Sequence, residues 1–461
     1  MANETIRESK IDWITIGLYL LVVLVGWLNL YSTSKEEATT IINFSSFHGK
    51  EAVFILASLG LGTLIMFLDT KFLEFLSYIF YGLCIFLLLA VLAVASVNGA
   101  NSWFEIGGVK IQPTEFAKVA TLMALAKYMS RFNFSLNNRN DLLWAVGIVA
   151  LPILLVLAQN DAGSALVFMG LIIVFYREGL HPLVLVGGLL LVAVTAVSLL
   201  FSTTANLPYY ILPFVILALV GSFIGIFRYR FLALHLVTLV FLIAIPFGVT
   251  KVVKPYQSAR FRVLVAPDPK AVDPEEEKAR KEAFARMTPE QKAERIEELK
   301  VINEGKRELK KVRYNYIHSL VAVGSGGVWG KGFGNSTHTR GDFVPEEHTD
   351  YIHCVFSEEH GFVGSTLLLI LFFAFIARIY YISENAKSDY ARVYGYGVGA
   401  ILMVHVIVNI GMSIGVVPTI GIPLPFFSYG GSSMLSFSIM VFILINNYSY
   451  RTNVLASSGG S

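Results

Sequence analysis

Residues 324–364 read GSGGVWGKGFGNSTHTRGDFVPEEHTDYIHCVFSEEHGFVG, a run of glycines, carboxylates, histidines and one arginine between strongly apolar flanks. Glycine is needed where the backbone takes positive φ or passes close to another group. Carboxylates and imidazoles concentrate where something polar is bound or a proton is moved. Both kinds of residue occur here together, beside chain that reads as membrane. At the centre lies Pro345-Glu346-Glu347-His348-Thr349-Asp350, and Asp350 is the residue expected to act as acid or base.

The flanks decide the fold. The chain has 461 residues, 55% hydrophobic and only 15% charged, with a mean hydropathy of +0.63. Soluble domains carry roughly 25% charged residues, so this composition excludes one. Repeated apolar runs of the length that crosses a bilayer, about 20 residues, predict an all-α, polytopic membrane helix bundle of about twelve transmembrane helices. The runs lie near 13–31, 52–69, 73–97, 114–130, 142–158, 162–176, 182–201, 209–227, 231–249, 362–380, 392–416 and 429–447. The first has no convincing cleavage site and reads as a retained span. A formal net charge of +3 gives no reason to expect a nucleic-acid partner. Cys84 and Cys354 lie in or beside apolar segments and suggest neither a disulfide nor a zinc site.

Lysine and arginine alternate between loops as expected for a cytoplasmic N-terminus. That orientation puts loops 98–113, 159–163, 250–361 and 417–431 on the extracytoplasmic face, where four Gly/Pro-rich connections together suggest a site at the mouth of the bundle. The domains read as a first membrane part, 1–250; an extracytoplasmic loop, 251–361; a last membrane part, 362–450; and a cytoplasmic tail, 451–461. Within the loop, 268–313 is a charged helical insert: prolines precede it, Thr288-Pro289 fits a helix start, and oppositely charged residues recur at helical spacing. A solvated hairpin without chemistry is expected there.

Other candidates sit where loops meet spans. Glu347 and His348 flank Asp350, and neighbouring carboxylates would raise its pKa toward that of a useful base; the alternative is a solvated loop aspartate or a cap. Glu115 and Lys118 share a helix face at i,i+3 and can pair, which lowers the cost of charge in the bilayer. Lys118 could hold an anionic headgroup or phosphate, or it could snorkel to the interface. On the binding reading, Lys118→Met would spare folding and weaken lipid binding. Asp161 fits an N-cap first and a ligand contact second. His405 and Asn409, at i,i+4, are expected to hydrogen-bond between helices. Ser428 and Tyr429 belong to a Gly/Ser-rich turn entering the last span. Arg260 and Arg262 suit phosphate contact or an interfacial role, and Arg340 lies upstream of Asp350.

Together these pieces resemble the SEDS family of polytopic membrane glycosyltransferases. The resemblance rests on Gln112-Pro113-Thr114-Glu115-Phe116-Ala117-Lys118, Gly324-Ser325-Gly326-Gly327 with Gly330-Lys331-Gly332, Pro345 to Ile352, Asn409-Ile410-Gly411-Met412, and Gly421 to Ser433. Thr337 to Glu346 is more similar to its elongation branch than to its division branch. The chain departs from the family pattern at Ser102, where a basic residue is usual, at Asn160, where proline is usual, and in three candidate spans between 182 and 249 that replace one.

The resemblance implies an inverting, lipid II-dependent peptidoglycan polymerase of the bacterial inner membrane, forming β-1,4 glycan strands for elongation and shape on the extracytoplasmic side. It assigns the base to Asp350; Lys118, Arg260, Arg262 and Arg340, or a divalent cation such as Mg or Mn, could serve the pyrophosphate. The isoprenoid tail would lie among membrane lipids in a groove between helices. A class B penicillin-binding protein, a monofunctional transpeptidase, is the expected partner. A lipid II flippase is the alternative: paired charges such as Glu115 and Lys118 would suit a transporter too.

Overall fold

The structure is a computed structural model, and it describes residues 11–33, 44, 46–93, 102–106, 109–180, 263, 307, 309–338, 344 and 346–449. The expected spans 182–201, 209–227 and 231–249, most of the 268–313 insert, Arg260, Arg262 and Arg340 lie outside these residues.

The chain is a polytopic helix bundle. Its helices are α1 (Trp13–Thr33), α2 (Phe47–Phe67), α3 (Thr70–Leu92), α4 (Pro113–Met129), α5 (Arg139–Ala158), α6 (Ala162–Met169), α7 (Ile172–Arg177), α8 (Ile352–Glu384), α9 (Asp389–Ser413) and α10 (Gly431–Ser449); residues 309–325 are helical as well. Among the described residues seven of these helices are long and apolar enough to cross a membrane. The expected span 162–176 is two short helices, broken around Gly170 and Leu171. Between α3 and α4 a small antiparallel hairpin pairs β1 (Phe104–Ile106) with β2 (Val109–Ile111). The chain packs as two units: 1–182 with 319–414 and 420–461, and 183–318 with 415–419. In the second unit Val263 and Val312 pack with Leu309 and Tyr316.

The ends of the first unit sort by charge. Arg378 near the end of α8 grips Asp12, just before α1, with Nη2 to Oδ1 at 2.6 Å and Nε to Oδ2 at 3.1 Å. Arg392 at the start of α9 forks onto Glu178 after α7 with two 3.0 Å bonds. Arg177 pairs with Glu384 at 2.5 Å. Burial pushes the Asp12 carboxyl up, but the Arg378 fork outweighs it and holds the group below the usual range. These pairs gather at the end that the charge bias assigns to the cytoplasm.

At the other end, α8 begins at Ile352, ten residues before the expected span. The polar run Ser357-Glu358-Glu359-His360 interrupts the apolar signal there, although the backbone is already helical. A straight helix over 352–384 would be about 50 Å long at 1.5 Å per residue, well beyond the ~30 Å hydrocarbon core. The helix breaks instead at Gly361, where φ is 65° and ψ −162°, leaving 362–384 as the spanning piece.

A break exposes backbone groups, and beside a membrane each must find a partner. The glycine run provides them. Lys331 N–H donates to Glu358 O at 3.0 Å and Gly332 N–H to Glu359 O at 2.9 Å, while Phe362 N–H donates to Gly327 O at 2.9 Å and Val363 N–H to Val328 O at 3.1 Å. The two backbones come so close that a Cβ on Gly330 would overlap the Glu359 carbonyl, and Gly330 itself has φ +81°. Gly330→Ala should therefore be strongly destabilising: the left-handed conformation alone costs an L residue roughly 1–2 kcal/mol, and the overlap adds to it. A thermal melt of purified Gly330→Ala matching the parent would refute this account of the loop.

Candidate functional site

The end of the first unit opposite the Arg378, Arg392 and Arg177 pairs gathers the C-terminal ends of α1 and α9 and the N-terminal ends of α2, α4, α6, α8 and α10, and the turn at 346–351 lies among them. The turn is closed by Thr349 N–H and Tyr351 N–H donating to Glu346 O at 3.1 and 3.2 Å, with Glu346 at φ 56°. Three clamps hold it. Asn409 Nδ2 donates to Asp350 O at 2.9 Å and to Ile422 O at 2.8 Å. Tyr429 N–H donates to His348 O at 2.9 Å, and Ser428 Oγ donates to Thr349 O at 2.6 Å. The backbone around Asp350 is thus fixed from α9 and from the segment before α10.

The carboxylate of Asp350 faces Gly421. A Cβ at Gly421, whose φ is +77°, would lie 2.9 Å from Asp350 Oδ2. Gly421 is exposed and Asp350 half-buried, so bare backbone and no side chain lies on this side of the carboxylate. His348 stacks on Phe47 at 4.3 Å and its Nδ1 lies 3.0 Å from Thr33 Oγ1. Its Nε2 is 3.8 Å from Glu347 Oε1. Burial, with the Glu51 carboxylate nearby, pushes the Tyr429 phenol above its ordinary value.

Glu115 and Lys118 form the expected pair, Nζ to Oε1 at 2.8 Å, but not at an open surface. Lys118 is 0% exposed. Its ammonium also donates to His405 Nε2 at 3.0 Å and lies 4.8 Å from the Phe437 ring centroid. His405 Nδ1 is 3.0 Å from the Pro423 carbonyl oxygen. That oxygen can only accept, so the proton is on Nδ1 and Nε2 accepts from lysine. Ser436 Oγ donates to the other Glu115 oxygen at 3.2 Å. The snorkelling alternative is excluded, and neither Glu115 nor Lys118 offers a free face to a headgroup or phosphate. They brace the site from behind: His405 and Asn409, one turn apart on α9, hold Pro423 and Ile422, and Asn409 also holds Asp350.

Two further candidates are positioning groups. Asp161 caps α6, accepting Ser164 N–H at 2.9 Å and Ser164 Oγ–H at 2.7 Å, and also accepts Gln112 Nε2 at 3.0 Å, which ties α6 to the start of α4. Ser428 is buried, accepting Leu424 N–H at 2.8 Å while it donates to Thr349. In the folded protein its hydroxyl closes the turn.

The site contains carboxylates that sequence reasoning missed. Glu358 is buried and accepts Lys331 Nζ at 2.5 Å and the N–H groups of Thr337 and His338 at 2.9 Å each. Glu359 is buried and accepts from Ser32. Glu51 of α2 is buried and accepts Gly430 N–H at 3.1 Å. The signal available for all three was a carboxylate within one or two turns of a predicted outer boundary.

A family model described as FTSW_RODA_SPOVE, cell cycle protein, matches residues 12–211 and 286–453. The chain belongs to the FtsW/RodA/SpoVE family. Among its relatives, the peptidoglycan glycosyltransferase MrdB of Escherichia coli K12 is 30% identical over 372 residues, which cover 80% of this chain and 77% of the relative. The peptidoglycan glycosyltransferase RodA of Treponema pallidum is 27% identical, covering 95% of this chain and 97% of its own. Stage V sporulation protein E of Bacillus subtilis is also 27% identical, over 96% and 98%. The fold is shared with Thermus thermophilus RodA at a TM-score of 0.56 and 23% identity, over 96% of this chain and 97% of that one. It is shared too with a chain from a peptidoglycan synthase complex studied for its coordination of polymerization and crosslinking, at a TM-score of 0.63 and 24% identity.

Proposed function

We propose that this family member is a peptidoglycan glycosyltransferase of the RodA type, which polymerises lipid II for elongation and shape. Asp350 acts as its base. The observation that carries the assignment is the Asp350 carboxylate, fixed by its backbone and fronted by the bare backbone of exposed Gly421. The names of the relatives favour transfer over flipping.

In the proposed step, an Asp350 oxygen takes the proton from the 4-hydroxyl of the acceptor sugar. The acceptor's own 4-oxygen, freed of its proton, attacks the anomeric carbon of the donor from the face opposite the pyrophosphate. The carbon–oxygen bond to the lipid pyrophosphate breaks, and the bonding pair leaves with it. The new linkage is β-1,4 with inversion. Positive charge should stabilise the departing pyrophosphate; of the cations expected for this task, Arg260, Arg262 and Arg340 are proposed, since Lys118 is enclosed. Among the described residues no group of three or more His, Cys, Asp or Glu side chains is arranged to hold a metal ion; a divalent cation such as Mg or Mn would supply the same positive charge to the pyrophosphate.

The bilayer is taken to be the bacterial inner membrane with Asp350 on its outer side, as the charge bias suggests. A class B penicillin-binding protein is the proposed partner, which the relation to a synthase complex supports. Purified protein, supplied with lipid II and the transpeptidase, should produce glycan strands. Movement of lipid II between leaflets without polymer would refute the transferase reading.

A further inference from the structure

Glu51 has no part in the reaction above, yet its carboxylate is 3% exposed in the interior of the mouth. Among the described residues its hydrogen-bond partner is a backbone amide, Gly430 N–H at 3.1 Å. Burial of a carboxylate is costly unless the group is well bonded, so a structural return is expected, and the geometry around Gly430 points to one.

α10 begins at Gly431, which makes Gly430 its N-cap residue. A cap residue ordinarily contributes a side-chain acceptor to the first turn, and a glutamate three residues later can reach back to the cap N–H. Glycine has no such side chain, and residue 433 is Ser433 with its hydroxyl turned to Gly430 O at 2.8 Å. Glu51 fills the reach-back role from another helix. Its carboxyl group also lies at the positive end of the α10 dipole.

The match extends over three consecutive residues. Phe47, Glu51 and Phe54 lie on one face of α2 at i, i+4 and i+7. Phe47 meets the Tyr429 ring at 5.0 Å, Glu51 takes Gly430 N–H, and the Phe54 ring occupies the space that a Cβ on Gly431 would need. Phe47 carries His348 on its other side, and Tyr429 N–H holds His348 O. One stripe of α2 therefore locates both strands of backbone that frame the Asp350 turn.

We propose that Glu51 is a positioning residue for the chemistry at Asp350: by holding Gly430 it fixes the Tyr429–His348 bond, and so the turn that presents the carboxylate. The effect on turnover rests on the polymerase reading; the effect on the turn does not. Glu51→Ala should lower kcat for glycan formation at least tenfold while KM for lipid II changes less than threefold. Glu51→Gln, whose amide oxygen still accepts the Gly430 N–H, should stay within about threefold of the parent. In the same proteins, hydrogen exchange over 346–351 and 428–431 should speed up in Glu51→Ala and not in Glu51→Gln.

Unchanged exchange in Glu51→Ala would overturn the proposal whatever the reaction is. An equal loss of kcat in both variants would overturn it as well, because the charge and not the bond would then be at work. Should Glu51→Ala fail to accumulate, Glu51→Asp, one methylene short, must show the same faster exchange. A parent that makes no polymer but passes the exchange test would defeat the reaction and leave the positioning intact.

Discussion

Asp350→Asn should abolish most glycan formation from purified lipid II. The amide is nearly isosteric, and the clamps from Asn409 and Tyr429 act on the backbone carbonyls of Asp350 and His348 and not on the carboxylate. The variant should therefore fold, melt and bind lipid II like its parent. Only the capacity to take the acceptor proton is lost, which should reduce turnover by roughly 10²-fold or more, the scale of a positioned base. Asp350→Glu should recover a little activity only if the longer side chain still finds the hydroxyl beside Gly421. The assay is strand formation with the transpeptidase present in both samples. Polymer from Asp350→Asn at near-parental rates would remove Asp350 from the chemistry and bring Glu347 forward.

Lys118→Met carries the other large effect, and the structure reverses its expected character. Read from sequence, the substitution would spare the fold and weaken lipid binding. In the folded protein it leaves the Glu115 carboxylate buried without its ammonium, and His405 Nε2 without its donor. Breaking a buried ion pair from one side costs about 3–5 kcal/mol, so the loss should appear as a much lower melting temperature. Glu115→Gln combined with Lys118→Met should recover part of it, because no uncompensated charge remains. A single mutant melting with the parent would show that Lys118 is not the brace described here.

The difference between these two residues shows what a sequence makes legible. Asp350 stood out because a carboxylate among glycines between membrane segments has few bland explanations. The Glu115–Lys118 pairing and the bond from His405 to another helix followed from helical spacing, whereas Asn409 holds the carbonyls of Asp350 and Ile422, outside any helix. Whether a group at a span's end faces out or in depends on which helix lies against it, and His405 and Phe437 are 287 and 319 positions away from Lys118 in the chain. Glu51 was hidden for the same reason, since its partner is the amide of Gly430. The start of α8 was misjudged because hydropathy reports burial against lipid, and residues 352–359 are buried against protein. The β1–β2 hairpin was too short for its alternation to register.

The exchange of hydrogen bonds between residues 327–332 and the break at Gly361 also bears on how the mouth is assembled. While the glycine run is absent, the carbonyls of Glu358 and Glu359 and the amides of Phe362 and Val363 have no partners, and unsatisfied backbone at membrane depth costs several kcal/mol per group. Neither segment can settle alone. The two must arrive together, and everything between them, Asp350 included, is carried into place by that joining. The seating of α8 and the shaping of the Asp350 turn are coupled through these four hydrogen bonds, so a change in either segment should be felt in the other.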